Sequence, residues 1–100
     1  MMKALIEEVN NWVESKNLEN ESTPLDQMWK MVEEAQELEA AIMNNSIDDI
    51  EDELGDVMFC CIVQAKMQGL DPQRVLERVV AKVTRRTGKM VNGMFVKDAY

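Results

Sequence analysis

Two groups of carboxylates stand where side chains could do chemistry. Asp49, Asp52, Glu53 and Asp56 recur three or four residues apart, so a helix gathers them within about 100° of arc on one face. That face continues into Cys60, Val63 and Met67, which form an apolar surface. Acids in the first turn of a helix gain ~0.3–1 kcal/mol from its macrodipole, which accounts for Asp48 and Asp49. Glu53 and Asp56 lie further in, beyond the reach of that effect. A solvated face would accommodate them only if it stayed polar, and it does not. The strip therefore reads as a functional cluster. The second group is Glu34 and Glu37, helical neighbours with Glu33 close by. They lie opposite the apolar stripe of their own segment, where a solvated face is the ordinary reading of the periodicity. Glu39 falls inside that stripe and is assigned no role.

Facing pairs of carboxylates offer oxygen ligands only, and such ligands select hard cations: Mg²⁺, Mn²⁺ or Ca²⁺. An EF-hand is excluded, because the residues from Asp48 onward lack the alternating acids and the glycine at the sixth position. A di-iron carboxylate bundle needs Glu-x-x-His, and the chain has no histidine. The same absence removes His-based acid–base catalysis, Ser–His and Cys–His nucleophiles, and imidazole-ligated zinc. Mg²⁺ held by a few carboxylates completes its shell with water and substrate phosphates. Cations for such phosphates are present: Arg78, Lys82, Arg85 and Lys89 fall on one stripe opposite Val75, Val79, Val80 and Val83. A solvated basic face that balances the acidic half is an equal reading of that stripe.

The elements that must carry these groups are helices. The 100 residues and 11.5 kDa suit one domain, residues 1–100, able to bury roughly 65% of its unfolded surface. Leu5, Ile6, Val9, Trp12 and Val13 predict a first helix over residues 2–15. Residues 16–22 are polar and aperiodic and read as a loop. Thr23-Pro24-Leu25-Asp26 is a strong helix start, and Leu25, Met28, Val32, Ala35 and Ile42 carry a second helix to about residue 44. Ser46-Ile47-Asp48-Asp49 repeats the capping pattern and opens a third, running to Gly69. Asp71-Pro72 starts a fourth that stops near Gly88. Asn92-Gly93, between two short apolar runs, signals a β-hairpin that needs something to pack on. The predicted fold is all-α, a four-helix bundle-like domain with a short C-terminal hairpin or extended tail.

Residues 57–63 are apolar all the way round, and three other short helices hardly enclose such a helix. A homodimer or a dimer of dimers is expected. Net charge is −8, unevenly placed: residues 31–65 hold ten acids and no Lys or Arg, while residues 72–97 hold seven basic residues and Glu77 alone among acids. The acidic half argues against a nucleic-acid polymer as partner. Adjacent Cys60 and Cys61 suit no disulfide scaffold, the amino terminus reaches Glu7 and Glu8 too soon for a secretory signal, and no apolar run approaches the ~20 residues of a membrane span. A cytoplasmic protein without membrane contact is expected.

The run Glu33-Glu34-Ala35-Gln36-Glu37-Leu38, followed sixteen residues after Glu37 by Glu53-Leu54-Gly55-Asp56-Val57, resembles the ExxE…ExxD signature of the MazG-like all-α nucleoside triphosphate pyrophosphohydrolases. Lys30 and Gly69-Leu70-Asp71-Pro72 are also similar to that family's pattern, and the likeness covers residues 12–86. A chain this short looks like the small stand-alone members. The resemblance implies Mg²⁺-dependent hydrolysis of a (d)NTP to the monophosphate and pyrophosphate, with Mn²⁺ as a possible substitute. It places metal-binding roles on Glu34, Glu37, Glu53 and Asp56. With no histidine, the proton from the attacking water must go to solvent or to a carboxylate, Glu34 or Glu37, with Glu34 placed first. Lys82, Arg85, Arg86 and Lys89 are the candidates for phosphate contacts. Asn10, Asn11, Trp12 and Trp29 are candidates for the base, although both tryptophans sit on apolar faces and also suit ordinary core. Gly55, costly inside a helix by ~1 kcal/mol, suits close approach of another helix or a ligand, and mere tolerance suits it equally. The rival reading is a non-enzymatic helical oligomerisation module whose acidic face binds a basic protein.

Overall fold

A computed structural model describes residues 1–98. The elements in chain order are α1 (Met2–Ser15), α2 (Leu18–Glu21), α3 (Pro24–Met43), α4 (Ile47–Met67), α5 (Pro72–Val83), β1 (Gly88–Val91) and β2 (Met94–Lys97). Long antiparallel-connected α3 and α4 form the main packing pair, α1 lies against α4, and α5 touches α4 only lightly. The all-α expectation holds, with one extra helix. Residues 16–22, expected as a loop, contain the single turn α2. It opens on Asn17 with φ of 54°, a left-handed residue that asparagine tolerates. One leucine and three polar residues carry no periodicity, so that turn has no signature in the sequence.

Local chemistry explains most boundaries. Thr23 and Asp26 form a reciprocal capping box: the Asp26 amide donates to Thr23 Oγ1 at 3.0 Å, and the Thr23 amide donates to Asp26 Oδ2 at 3.1 Å. Pro24 occupies the first helical position, where a missing N–H costs nothing. At the next start the capping expectation needs correcting. Ser46 is the N-cap of α4, but its side chain makes no capping hydrogen bond. Instead, left-handed Asn45 turns the chain sharply, and the Ser46 amide donates back to the Ala41 carbonyl. Asp71 caps α5 through the Gln73 amide at 3.0 Å.

The last helix ends at Val83, earlier than the expected stop near Gly88. Thr84 donates its hydroxyl to the Val80 carbonyl at 2.8 Å, a local bond that competes with further helical propagation. The hairpin is present as expected. Asn92 and Gly93 both have positive φ, 50° and 83°, as a two-residue primed turn requires. Gly88 pairs with Lys97 and Val91 with Met94. Every described hairpin residue is exposed.

The core is thin. Among the described residues the buried apolar ones are Val13, Ala41, Cys60, Val63 and Ala65. In the all-round apolar segment of α4, Cys60 and Val63 are enclosed while Met58 and Phe59 remain exposed. Nothing lies within 4 Å of a Cβ built on Gly55, so the described chain brings no helix against that glycine. No helix among the described residues is long and apolar enough to cross a membrane.

Candidate metal centre

The packing of α3 on α4 brings the two carboxylate groups together. Glu34 and Glu37, one turn apart on α3, and Glu53 of α4 each place a carboxylate oxygen within 4.8 Å of the others. Periodicity alone favoured a solvated face for the α3 glutamates. For Glu34 that reading is overturned: it is the buried charged residue of the described chain, with 7% of its surface exposed. Glu53 is half-buried and Glu37 exposed, so the cluster grades from the helix seam out to water.

Two of its oxygens, Glu34 Oε2 and Glu53 Oε2, are buried without a hydrogen-bond partner. A buried polar atom left unpaired is costly, and a charged one more so. The other oxygen of Glu34 meets the Lys30 ammonium at 3.1 Å, which also reaches Glu33 at 3.7 Å. Lys30 stands one turn before Glu34, so helical spacing sets the pair.

The electrostatics follow. The Lys30 ammonium beside Glu34 holds that carboxyl below the ordinary carboxylate range, against the opposing effect of its burial. Glu34 in turn raises Lys30. Among the described residues no cation is ion-paired with Glu53. Burial pushes it up to about 7, assisted by the nearby Glu37 and Glu34 carboxylates and by Asp56. Orphaned buried oxygens, a surplus of negative charge and an oxygen-only donor set suit a hard divalent cation held by Glu34, Glu37 and Glu53.

Asp56 stands apart from the three-carboxylate group. It is exposed, one turn beyond Glu53, and lines a cavity of about 410 Å³ together with Glu34 and Lys30. Apolar residues complete the lining: Leu18, Cys60, and Trp12 packed T-shaped with Phe59, ring centroids 5.3 Å apart at 71°. Gln27 adds an amide to the lining, its Nε2 donating to Ser22 Oγ at 2.9 Å. Of the base candidates, Trp12 lines this cavity, whereas half-buried Asn10 and exposed Trp29 do not. Lys82, Arg85, Arg86 and Lys89 are exposed at the end of α5 and the start of the hairpin, and among the described residues none is ion-paired with a carboxylate of the cluster.

Sequence reasoning gave Lys30 only as part of the family resemblance, with no role at the site, and left Leu18, Gln27 and Phe59 without a place there. Lys30 had a usable signal, its four-residue spacing from Glu34. The other three had none, because Leu18 lies in the unforeseen α2, Gln27 is one polar residue among many, and Phe59 sits in an apolar run.

Residues 22–91 match the family model described as the MazG nucleotide pyrophosphohydrolase domain. The match starts later than the resemblance read from the sequence and extends through β1. A curated relative from Haemophilus phage HP1 (strain HP1c1), "Uncharacterized 18.2 kDa protein in rep-hol intergenic region", is 35% identical over 78 residues, 78% of this chain and 47% of that protein. The chain thus spans about half the length of the curated relative it matches. No solved structure matches the chain.

Proposed function

The chain belongs to the MazG nucleotide pyrophosphohydrolase family, and from that premise we propose that it hydrolyses (deoxy)nucleoside triphosphates to the monophosphate and pyrophosphate with Mg²⁺. The observation that carries the reading is the group Glu34, Glu37 and Glu53, two of whose oxygens are buried with no donor to satisfy them. Mg²⁺ bound there would neutralise the triphosphate and make the attacking water more acidic. Mn²⁺, with a similar taste for oxygen ligands, is the expected substitute. Asp56, on the adjoining cavity wall, completes the ligand set from outside the group.

The chain's own residues divide the remaining work. In the reaction proposed, a water oxygen bonds to the α-phosphorus as the bond from that phosphorus to the α–β bridging oxygen breaks. The electron pair departs on pyrophosphate, and the water's proton passes to a carboxylate. Glu37 is the better acceptor, because Lys30 holds Glu34 ionised and weakly basic while Glu37 faces solvent. Trp12, partly exposed and lining the cavity, is assigned to stack on the base. Lys82, Arg85, Arg86 and Lys89 are assigned to the phosphates, where cations stabilise charge on the leaving group.

Control of nucleotide pools in the cytoplasm, by a single domain spanning residues 1–100 that works as a homodimer or dimer of dimers, is the setting this reading implies. The test is a panel of canonical and modified nucleotides incubated with the purified protein and Mg²⁺. Pyrophosphate and no inorganic phosphate should be released from at least one of them. Silence across the panel would leave the helical oligomerisation module, binding a basic protein, as the better account.

A further inference from the structure

Two residues on the lining of the cavity of about 410 Å³, Trp12 and Leu18, belong to the part of the fold with the least to hold it. α1 buries Val13, and α2 buries none of its residues. A single turn of four residues has little stability of its own, since a helix needs roughly 12–15 residues to persist alone in water. Left-handed Asn17 breaks the chain between the two helices, so α1 cannot carry α2 along as one rod. Leu18 therefore keeps its place at the cavity by tertiary contact.

The tether comes from α4. Lys66, in the last turn of that helix, carries its ammonium 2.8 Å from Glu14 Oε1 of α1 and 3.8 Å from Glu19 Oε1 of α2. Glu14 stands two residues after Trp12, and Glu19 is next to Leu18, so one cation grips the neighbours of both lining residues. The Lys66 side chain is 23% exposed, which shields the pairs in part from water. Among the described residues the other ion pairs, those of Lys30, stay within α3, so Lys66 makes the pairs that join separate helices. Phe59, the ring against Trp12, lies two turns before Lys66 on α4, so ring contact and ion pairs hold α1 at two levels. Gln64 adds a third tie from the same end of α4, its Nε2 donating to the Pro24 carbonyl at 3.0 Å.

We propose that Lys66 is a positioning residue: through Glu14 and Glu19 it holds Trp12 and Leu18 on the cavity and so sets how tightly the cavity takes the base of a nucleotide. Lys66 itself belongs to neither the cavity lining nor the carboxylate group, so it acts only through the segment it ties down. Ion pairs with exposed acids add little to global stability, so their loss should loosen this segment without unfolding the chain. The effect on nucleotide binding rests on the hydrolytic reading, whereas the clamp on residues 12–21 does not.

The test compares the full wild-type chain with Lys66→Met, which keeps the stem and removes the charge, and with Lys66→Arg, whose fork still reaches carboxylates. Amide hydrogen exchange over residues 12–21 should be roughly tenfold faster in the Met variant and near wild type in the Arg variant. On a nucleotide that wild type hydrolyses, Lys66→Met should raise KM roughly three- to tenfold with kcat nearly unchanged, because the lost support is common to ground and transition states. Lys66→Arg should restore KM. If Lys66→Met loses helicity, Glu14→Gln with Glu19→Gln removes the same pairs from exposed positions and is read in the same way. Unchanged exchange in the charge-free variants would overturn the clamp. Faster exchange with an unchanged KM, or a fall in kcat as large as that in kcat/KM, would overturn the positioning role. Wild type that hydrolyses no nucleotide would sink the hydrolytic reading and with it the positioning role, while the exchange comparison would still decide the clamp.

Discussion

The α3–α4 seam and the α5–hairpin arm carry charge of opposite sign and treat it in opposite ways. At the seam, Glu34 is buried and Glu53 half-buried, with two carboxylate oxygens lacking any donor. On the arm, every basic side chain stands in water while valines lie exposed beside it. Burying unpaired charge is a cost that folding alone has no reason to incur. Leaving apolar surface wet is a cost that a second chain can remove. The first kind of anomaly supports the proposed cation site, and the second is surface that packing within the described chain does not cover.

Substitutions at the two regions should therefore differ in kind. Glu34→Gln or Glu37→Gln should lower turnover by a hundredfold or more, since each removes a charge from the metal and water site. Lys82→Ala with Arg85→Ala should instead act mainly on KM, raising it roughly three- to tenfold, because exposed cations contribute modestly to binding. Steady-state kinetics on the two sets separates them. Equal effects on kcat would erase the distinction. Asp56→Asn should fall between, at roughly tenfold in kcat/KM, as suits a carboxylate at the edge of the group.

A smaller effect sharpens the electrostatic half of the comparison. Burial in the metal-free fold pushes Glu53 up to about 7, above its ordinary 4.5. Between those values the folded chain holds a proton that the unfolded chain has released, so stability should fall as pH rises from 5 to 7. Glu34 is shifted down, so its contribution is complete above 4.5 and lost only in more acidic solution. Melting curves at pH 5, 6 and 7 should show Tm falling by a few degrees without metal, and the fall should shrink in millimolar Mg²⁺, which favours the deprotonated ligand. A metal-free Tm that rose across this window would reverse the assignment. The smallest effect concerns neither region's charge. A Cβ at Gly55 meets nothing within 4 Å, so Gly55→Ala should stabilise by ~1 kcal/mol, about 4–8 °C in Tm.

Much of this molecule was legible in its residues, where local chemistry decides the structure. The Thr23 capping box, Pro24, the Asp71 cap and the Asn92-Gly93 turn each specify a backbone conformation within four residues, and the starts of α3 and α5 and the hairpin follow from them. The pairing of Glu34 and Glu37 with Glu53 was legible as spacing on two helices. The burial of Glu34 was not, because periodicity sees only the helix's own stripe, and the depth of a residue depends on where α4 lies across it. Trp12 against Phe59 is equally tertiary, a contact across 47 positions. The overshoot of α5 toward Gly88 has a local cause, the Thr84 hydroxyl bond to Val80, but β-branched residues are common enough inside helices that the spacing alone did not reveal it.

The claim on which the rest depends is that Glu34, Glu37 and Glu53 converge to hold a divalent cation, and four melting curves test it most directly. Wild type and Glu53→Gln are each melted with and without millimolar Mg²⁺ at pH 7.5, with helicity checked by circular dichroism. Neutralising a crowded carboxylate should raise the metal-free Tm by a few degrees, since like charges in a partly dry seam repel. Mg²⁺ should raise the wild-type Tm by mass action on the folded state, and the Gln variant should lose most of that rise. A Glu53→Gln protein that melts below wild type without metal and keeps the full Mg²⁺ response would show that no cation is held there.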